Sequence, residues 1–224
     1  MVPKNNASGG PILSERSYPI EKATEVSVGQ VVKLSVGKVV PVTASDTSAI
    51  LGIAAETHTG AEDALNPRSN GEEIMVYDGP DLVFSCAAPT ITVKSGTATT
   101  IVADSDGGIA AFAADDFNGG LLQLVSLAAS STNTDVVGQI RKVSDFADAS
   151  GTETFTVDSA GTAVAGDVYR VYPPIGFAKG GYDSKACRYV LTGAASLGVK
   201  VVGWDKEHGL LLMMAKKHSL GNDE

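Results

Sequence analysis

The chain has little of what builds chemistry. Among its 224 residues are two cysteines, one tryptophan and three histidines. Cys86 and Cys187 stand far apart in unrelated contexts. A structural zinc site needs closely spaced thiolate or imidazole ligands, and no histidine pair flanks either thiol. Two buried free thiols are expected, with a disulfide between them as the alternative. Aromatic residues make up only 6% of the chain, so side chains able to stack on sugars or bases are few. Basic residues are outnumbered, giving a net charge of −9, which argues against a phosphate-backbone partner. No apolar run approaches the roughly 18 residues of a membrane span. Residues 1–16 lack an apolar core, so no signal peptide is expected. Asn6-Ala7-Ser8 matches a glycosylation sequon, which reads as chance without a secretory route.

Catalytic constellations are also missing. His58 falls in a polar loop, His208 in a turn and His218 in a charged tail, so all three are expected at the surface. No G-x-S-x-G elbow supplies a nucleophile for them. The pairs Glu72-Glu73 and Asp115-Asp116 are adjacent in sequence, and neighbours on a strand point to opposite faces, so neither pair forms a glycosidase dyad by itself. Asp104-Ser105-Asp106-Gly107 opens like a calcium loop. It then places Gly108 at the fifth position and Asp115 at the twelfth, where the EF-hand needs an oxygen ligand and a glutamate. No phosphate-binding glycine motif follows a strand. No enzyme, cofactor, metal site, nucleic-acid partner or membrane partner is expected.

What the chain does have is glycine, 25 in all, set among β-branched runs. Residues 25–56 show the pattern best. Val26 and Val28 lead into the run 31–34, a turn is signalled at Ser35-Val36-Gly37-Lys38, and Val39, Val40 and Val42 resume the extended pattern. Residues 50–55 read as a third, more buried strand. A helical turn is expected near 61–65, ended by Asn66-Pro67. Strands are expected at 72–77 and 82–86, with a joint at Ala87-Ala88-Pro89.

From residue 90 the texture changes to short strands at roughly ten-residue spacing, the pattern of a sandwich or barrel. They are expected at 91–93, 100–102, 109–114, 121–125, 136–143, 154–157 and 168–172, with turns at Lys94-Ser95-Gly96 and at 104–108. Residues 197–204 and 209–215 flank a hairpin turn at 205–208 and are expected to complete the first sheet. The run 210–214 reads as core. The heptads 28–34 and 165–171 echo one another faintly. Residues 1–20 contain Pro3, Pro11 and Pro19, which argue against regular structure there. Pro11, Ile12, Leu13, Tyr18 and Ile20 are the apolar points by which such an arm would dock on a partner.

The first third resembles the head decoration, or cement, proteins of tailed bacteriophages. The resemblance is carried by Val28, Gly29, Val31, Val32, Lys33, Leu34, Ile50, Leu51, Gly52, Ile53, Ala54, Ile74, Val76 and Tyr77, and covers about residues 20–85. Residues 118–121, 138–143 and 165–171 are similar to a β module recurrent in phage structural proteins. The resemblance implies an all-β chain: a β-tulip-like barrel plus a second, inserted β-sandwich or barrel module. Residues 1–20 would be an extended arm, 21–89 with 175–224 the capsid-binding domain, and 90–174 the inserted outer module. It further implies the major capsid protein as partner, a homotrimer, and a place on the outer capsid surface of the virion after synthesis in the host cytoplasm. Two other readings stand beside it: a tail or head–tail connector component, or an outward module binding host glycans through Tyr169, Tyr172, Tyr182 and Trp204.

Overall fold

The computed structural model describes residues 2–6, 14–43, 46, 48–59, 73–79, 81–104, 112–148, 152–158, 161–179, 181–183, 188–190, 199–215, 217–218 and 222–223. Among these the chain is all-β, with no helix. The strands run in order as β1 (Val2–Asn6), β2 (Glu15–Pro19), β3 (Val31–Ser35), β4 (Lys38–Pro41), β5 (Gly52–Ala54) and β6 (Glu73–Tyr77). Next come β7 (Leu82–Ala87), β8 (Thr90–Gly96), β9 (Thr100–Ala103), β10 (Leu121–Ser126), β11 (Ile140–Asp148), β12 (Glu153–Val157) and β13 (Val168–Tyr172). The chain ends with β14 (Gly181–Asp183), β15 (Arg188–Val190), β16 (Val199–Asp205), β17 (Leu210–Ala215), β18 (Lys217–His218) and β19 (Asn222–Asp223).

These strands make two barrel-like bodies and a sheet. The order β2-β6-β5-β3-β4 forms a five-stranded sheet that curls until its edges meet, through a parallel bridge between Ile20 and Val39. Inside it pack Ile20, Val26, Val32, Val39, Leu51, Ala54, Ile74 and Val76. The order β10-β11-β12-β9-β8-β13 closes into a six-stranded barrel, so every strand finds partners on both sides and no edge is left open. Phe117 sits at the centre of its core, with ring centroids 4.7 Å from Phe146, 5.6 Å from Phe155 and 5.1 Å from Phe177. Strand β7 pairs with β17, β15 and β1, which with β16 and β14 make a separate sheet, and its Leu82, Phe84 and Cys86 share a core with Val31, Ile50 and Ile53. Trp204 Nε1 donates to Pro173 O at 2.8 Å and ties this sheet to the closed barrel.

One turn recurs and explains the faint sequence echo. In Ser27-Val28-Gly29-Gln30, Val136-Val137-Gly138-Gln139 and Val164-Ala165-Gly166-Asp167, the glycine has φ of 82°, 94° and 88°. The last residue's N–H returns to the first residue's carbonyl at 3.0, 2.9 and 3.0 Å, and its side chain accepts the first residue's N–H. Each glycine N–H also bonds a neighbouring strand at 2.8 Å, to Ala54, Leu124 and Val93. A positive φ at the third position is the glycine requirement of a type II turn. Strands β3, β11 and β13 begin directly after these turns.

Several expectations shift. The strand read at 109–114 is absent from its described part, where 114–119 turns instead; 109–111 lie outside the described residues. The strand read at 136–143 begins only at Ile140, because Gly138 turns the chain, and it runs on to Asp148 across a bulge between Val143 and Asp145. The turn read at Lys94-Ser95-Gly96 is a bulged continuation of β8, and the reversal comes at Thr97, whose N–H donates to Thr100 O. Strands β16 and β17 form the expected hairpin and return to residues 82–87 of the first domain, where β17 pairs with β7 in a sheet separate from that of β2–β6. Along β17 only Leu211 and Met213 are fully buried, while Leu210, Leu212 and Met214 are half-buried on the opposite face. The helical turn near 61–65 lies outside the described residues.

Candidate partner-binding site

The β3–β4 hairpin turns at Ser35-Val36-Gly37-Lys38, with Ser35 paired to Lys38. Val36 has φ of 50° and Gly37 of 77°, the two positive values of a type I′ turn. Asn or Gly normally fills the first of these positions, and a β-branched residue there is an outlier. Val36 is also fully solvent-exposed, at 102%. Neither backbone preference nor burial within this chain offsets its cost. Two residues on, Lys38 Nζ lies 3.1 Å from Glu21 Oε1. Lys38 lines a cleft of about 340 Å³ together with Pro19, Ile20, Glu21, Lys22 and Ala23. The exposed tip and the cleft share one end of the small barrel.

Asp78 holds the N-terminal strand against that barrel. Its buried carboxylate accepts from Ser14 Oγ and from Tyr18 OH, and Arg16 Nε lies 3.5 Å away. Its N–H donates to Ser14 O. Burial, then the hydrogen bond and charge of Asp78, push the Tyr18 hydroxyl up to about 12. A folded value above the ordinary 10.0 means that the stability Tyr18 supplies is intact below pH 10 and fades as pH rises through 12. We therefore expect Tyr18→Phe to be less stable than the native chain by a constant margin up to about pH 10. Chemical denaturation at stepped pH should show that margin shrinking between about 10 and 12; a margin constant to pH 12 would refute the linkage.

The sequence-derived contact residues fall into two groups. Pro11, Ile12 and Leu13 lie outside the described residues. Tyr18 and Ile20 do not project as a free arm: Tyr18 sits on β2 against Asp78, and Ile20 is 2% exposed in the small barrel's core. Pro3 and Pro19 do not prevent strands, because Pro3 falls at a register shift in β1 and Pro19 at the end of β2. β2 pairs with β6 along its whole length, and β1 pairs with β7. The described parts of the arm are extended, but paired within their own chain. Asp78, between the strands read at 72–77 and 82–86, gave no signal in sequence, and Val36 was legible only as a turn residue.

The histidines take different places. His58 is buried at 1%, bonded through its backbone to Val26 and through Nδ1 to Thr24 O at 2.6 Å, which corrects its surface assignment. His208 is exposed at the β16–β17 turn, where Nδ1 meets Asp205 at 3.0 Å. The side chain of His218 lies outside the described residues. Tyr169 and Tyr172 are fully buried and Trp204 is partly so, which removes these three from any exposed stacking platform; the side chain of Tyr182 is not among those described. The Cys86 thiol is buried and donates to Met213 Sδ at 3.3 Å, and Cys187 lies outside the described residues. Among the described residues no group of three or more His, Cys, Asp or Glu side chains converges as a metal cage. No family model, curated protein or solved structure matches the chain.

Proposed function

We propose that this chain is a capsid decoration protein of a tailed bacteriophage, a structural virion component that binds the outer surface of the shell and stabilises it. The observation that carries the reading is Val36. A β-branched residue held in the left-handed region and fully exposed costs the free protein on both counts, and a partner surface that buries it would recover that cost. The residues behind the sequence resemblance support it: Val32, Leu51, Ala54, Ile74 and Val76 form the buried interior that presents this tip, and Val31, Ile50 and Ile53 are buried in the larger core beside it. In this proposal the major capsid protein is the partner and the chain acts as a homotrimer. The closed barrel of β8–β13 faces outward. Any strand pairing with the shell falls to the segment before Ser14, since β2 and Ile20 are committed to the small barrel. Repetition over the shell turns a modest contact into stabilisation by avidity and mass action.

The test is sedimentation of purified protein with expanded, undecorated heads, followed by image averaging. Native protein should co-sediment and give density on the outer surface. Val36→Asn, which suits the turn better, should be as stable as the native chain or more so, yet bind roughly 10–100-fold more weakly, the loss of one buried valine. Equal binding by the variant would remove the tip from the interface. Absence of head binding, with assembly into rings or tubes alone, would assign the chain to the tail or connector instead.

A further inference from the structure

We propose that the closed barrel carries a calcium-binding site at the β11–β12 end, formed on Glu153 and Asp148. The two residues are direct cross-strand partners in the register of β11 and β12. Along β12, Glu153 alternates with Phe155 and Val157 as a buried position, so its carboxylate points into the barrel with them. Directly opposed side chains share a face with Cβ atoms roughly 4.5–5.5 Å apart, close enough for two carboxylates to reach one ion. Thr154 pairs with Val102 on the other side, which brings the end of β9, Ala103 and Asp104, alongside.

The second observation is the state of Glu153 itself. It is 1% exposed, and its Oε2 has no hydrogen-bond partner among the described residues. Every other buried charged side chain of this barrel is amply satisfied: Asp135 by Arg141 and Gly161, and Asp167 by Ala128, Ser131, Asn133 and Val164. A buried carboxylate without a partner is costly, and a second one directly opposite adds repulsion. A divalent cation removes both costs at once. Two carboxylates fall short of a dedicated cage, which suits calcium, since it accepts backbone carbonyls and water in irregular geometry, whereas magnesium demands a near-ideal octahedron. The low carboxylate count places the affinity on the order of 0.1–1 mM. This inference is independent of the partner proposed above, because the site needs only the barrel.

The experiment is thermal unfolding of the full chain, stripped with chelator, against added calcium chloride or magnesium chloride, with calorimetric titration of the same ions. About 10 mM calcium should raise the Tm of the native chain by about 3–10 °C, and magnesium much less. Glu153→Gln and Asp148→Asn should each lose most of the calcium response. In chelator, Glu153→Gln should melt at or above the native chain, because the unpaired charge is gone; in calcium the order should reverse. That crossover separates a cation site from a merely buried acid. The absence of a calcium response, an equal response in both variants, or an equal response to magnesium would overturn the proposal.

Discussion

Replacing Arg141 with alanine should cost about 3–5 kcal/mol of folding free energy, the loss that follows when one partner of a buried ion pair is removed. Arg141 points into the closed barrel beside Asp135, and both side chains are almost wholly buried. Its Nε donates to Asp135 Oδ2 at 2.9 Å, a second nitrogen reaches Oδ1, and a third donates to Asp158 O at 3.1 Å. Gly161 N–H completes Asp135 at 2.9 Å. The pair thus clasps the loops before β11 and after β12 across the barrel's end. Alanine would leave Asp135 buried with its charge unmet. In urea the native and variant midpoints should separate accordingly, and Tm should fall by roughly 6–20 °C. Replacing both partners with apolar residues of similar volume should restore much of the loss, because the penalty lies in the orphaned charge. A single-variant loss under about 1 kcal/mol would mean that water screens the pair as it does at a surface.

A neighbouring acid shows the same economy of partners. Burial pushes Asp167 up, but the N–H groups of Ala128 and Val164, with Asn133 and Ser131, outweigh it and hold the carboxylate below its ordinary range. Asn133 also reaches Tyr169 OH at 3.1 Å. None of this network was legible in sequence. Asp135, Arg141 and Asp167 look like ordinary solvated charges in a chain with many of them, and only the closure of the barrel turns them inward. Strand composition, by contrast, was legible: residues 31–42, 168–172 and 210–215 could be read because β-branched and apolar residues run between turn signals. The unbroken apolar run 210–214 hid which face is core, since only Leu211 and Met213 are fully buried. Ser144-Asp145 hid the second half of β11, since a bulge inserts a residue and breaks the period. Glycine was legible as a turn signal but not as to which turn. Gly138 and Gly29 look alike in sequence and serve alike in structure, yet Val136-Val137 before Gly138 reads as strand because nothing local says that the chain bends there.

Gly52→Ala should open the small barrel and cost about 3 kcal/mol or more, at or beyond the upper end of ordinary overpacking. Gly52 lies in β5, between β3 and β6, and a Cβ built on it falls 1.9 Å from Tyr77 O and 2.8 Å from Tyr77 C. These are backbone atoms, so no rotamer change relieves the contact; β5 and β6 must part. The φ of Gly52 is not positive, so the whole cost is steric. Gly37 supplies the contrast, with φ of 77° and no atom within 4 Å of its Cβ position. Gly37→Ala should therefore cost only the left-handed penalty of about 1–2 kcal/mol. Hydrogen exchange read by mass spectrometry separates the two. In Gly52→Ala the amides of β2, β5 and β6 should exchange roughly 100-fold faster, with those of β8–β13 changing less, whereas Gly37→Ala should perturb the hairpin tip alone. Because Ile20 closes this barrel against Val39, the same variant should loosen the cleft and the Val36 tip together and, under the proposed function, weaken head binding although neither has been touched. Unchanged exchange in β5 and β6 would mean that the two strands can separate at little cost, and the argument from close backbone approach would fail.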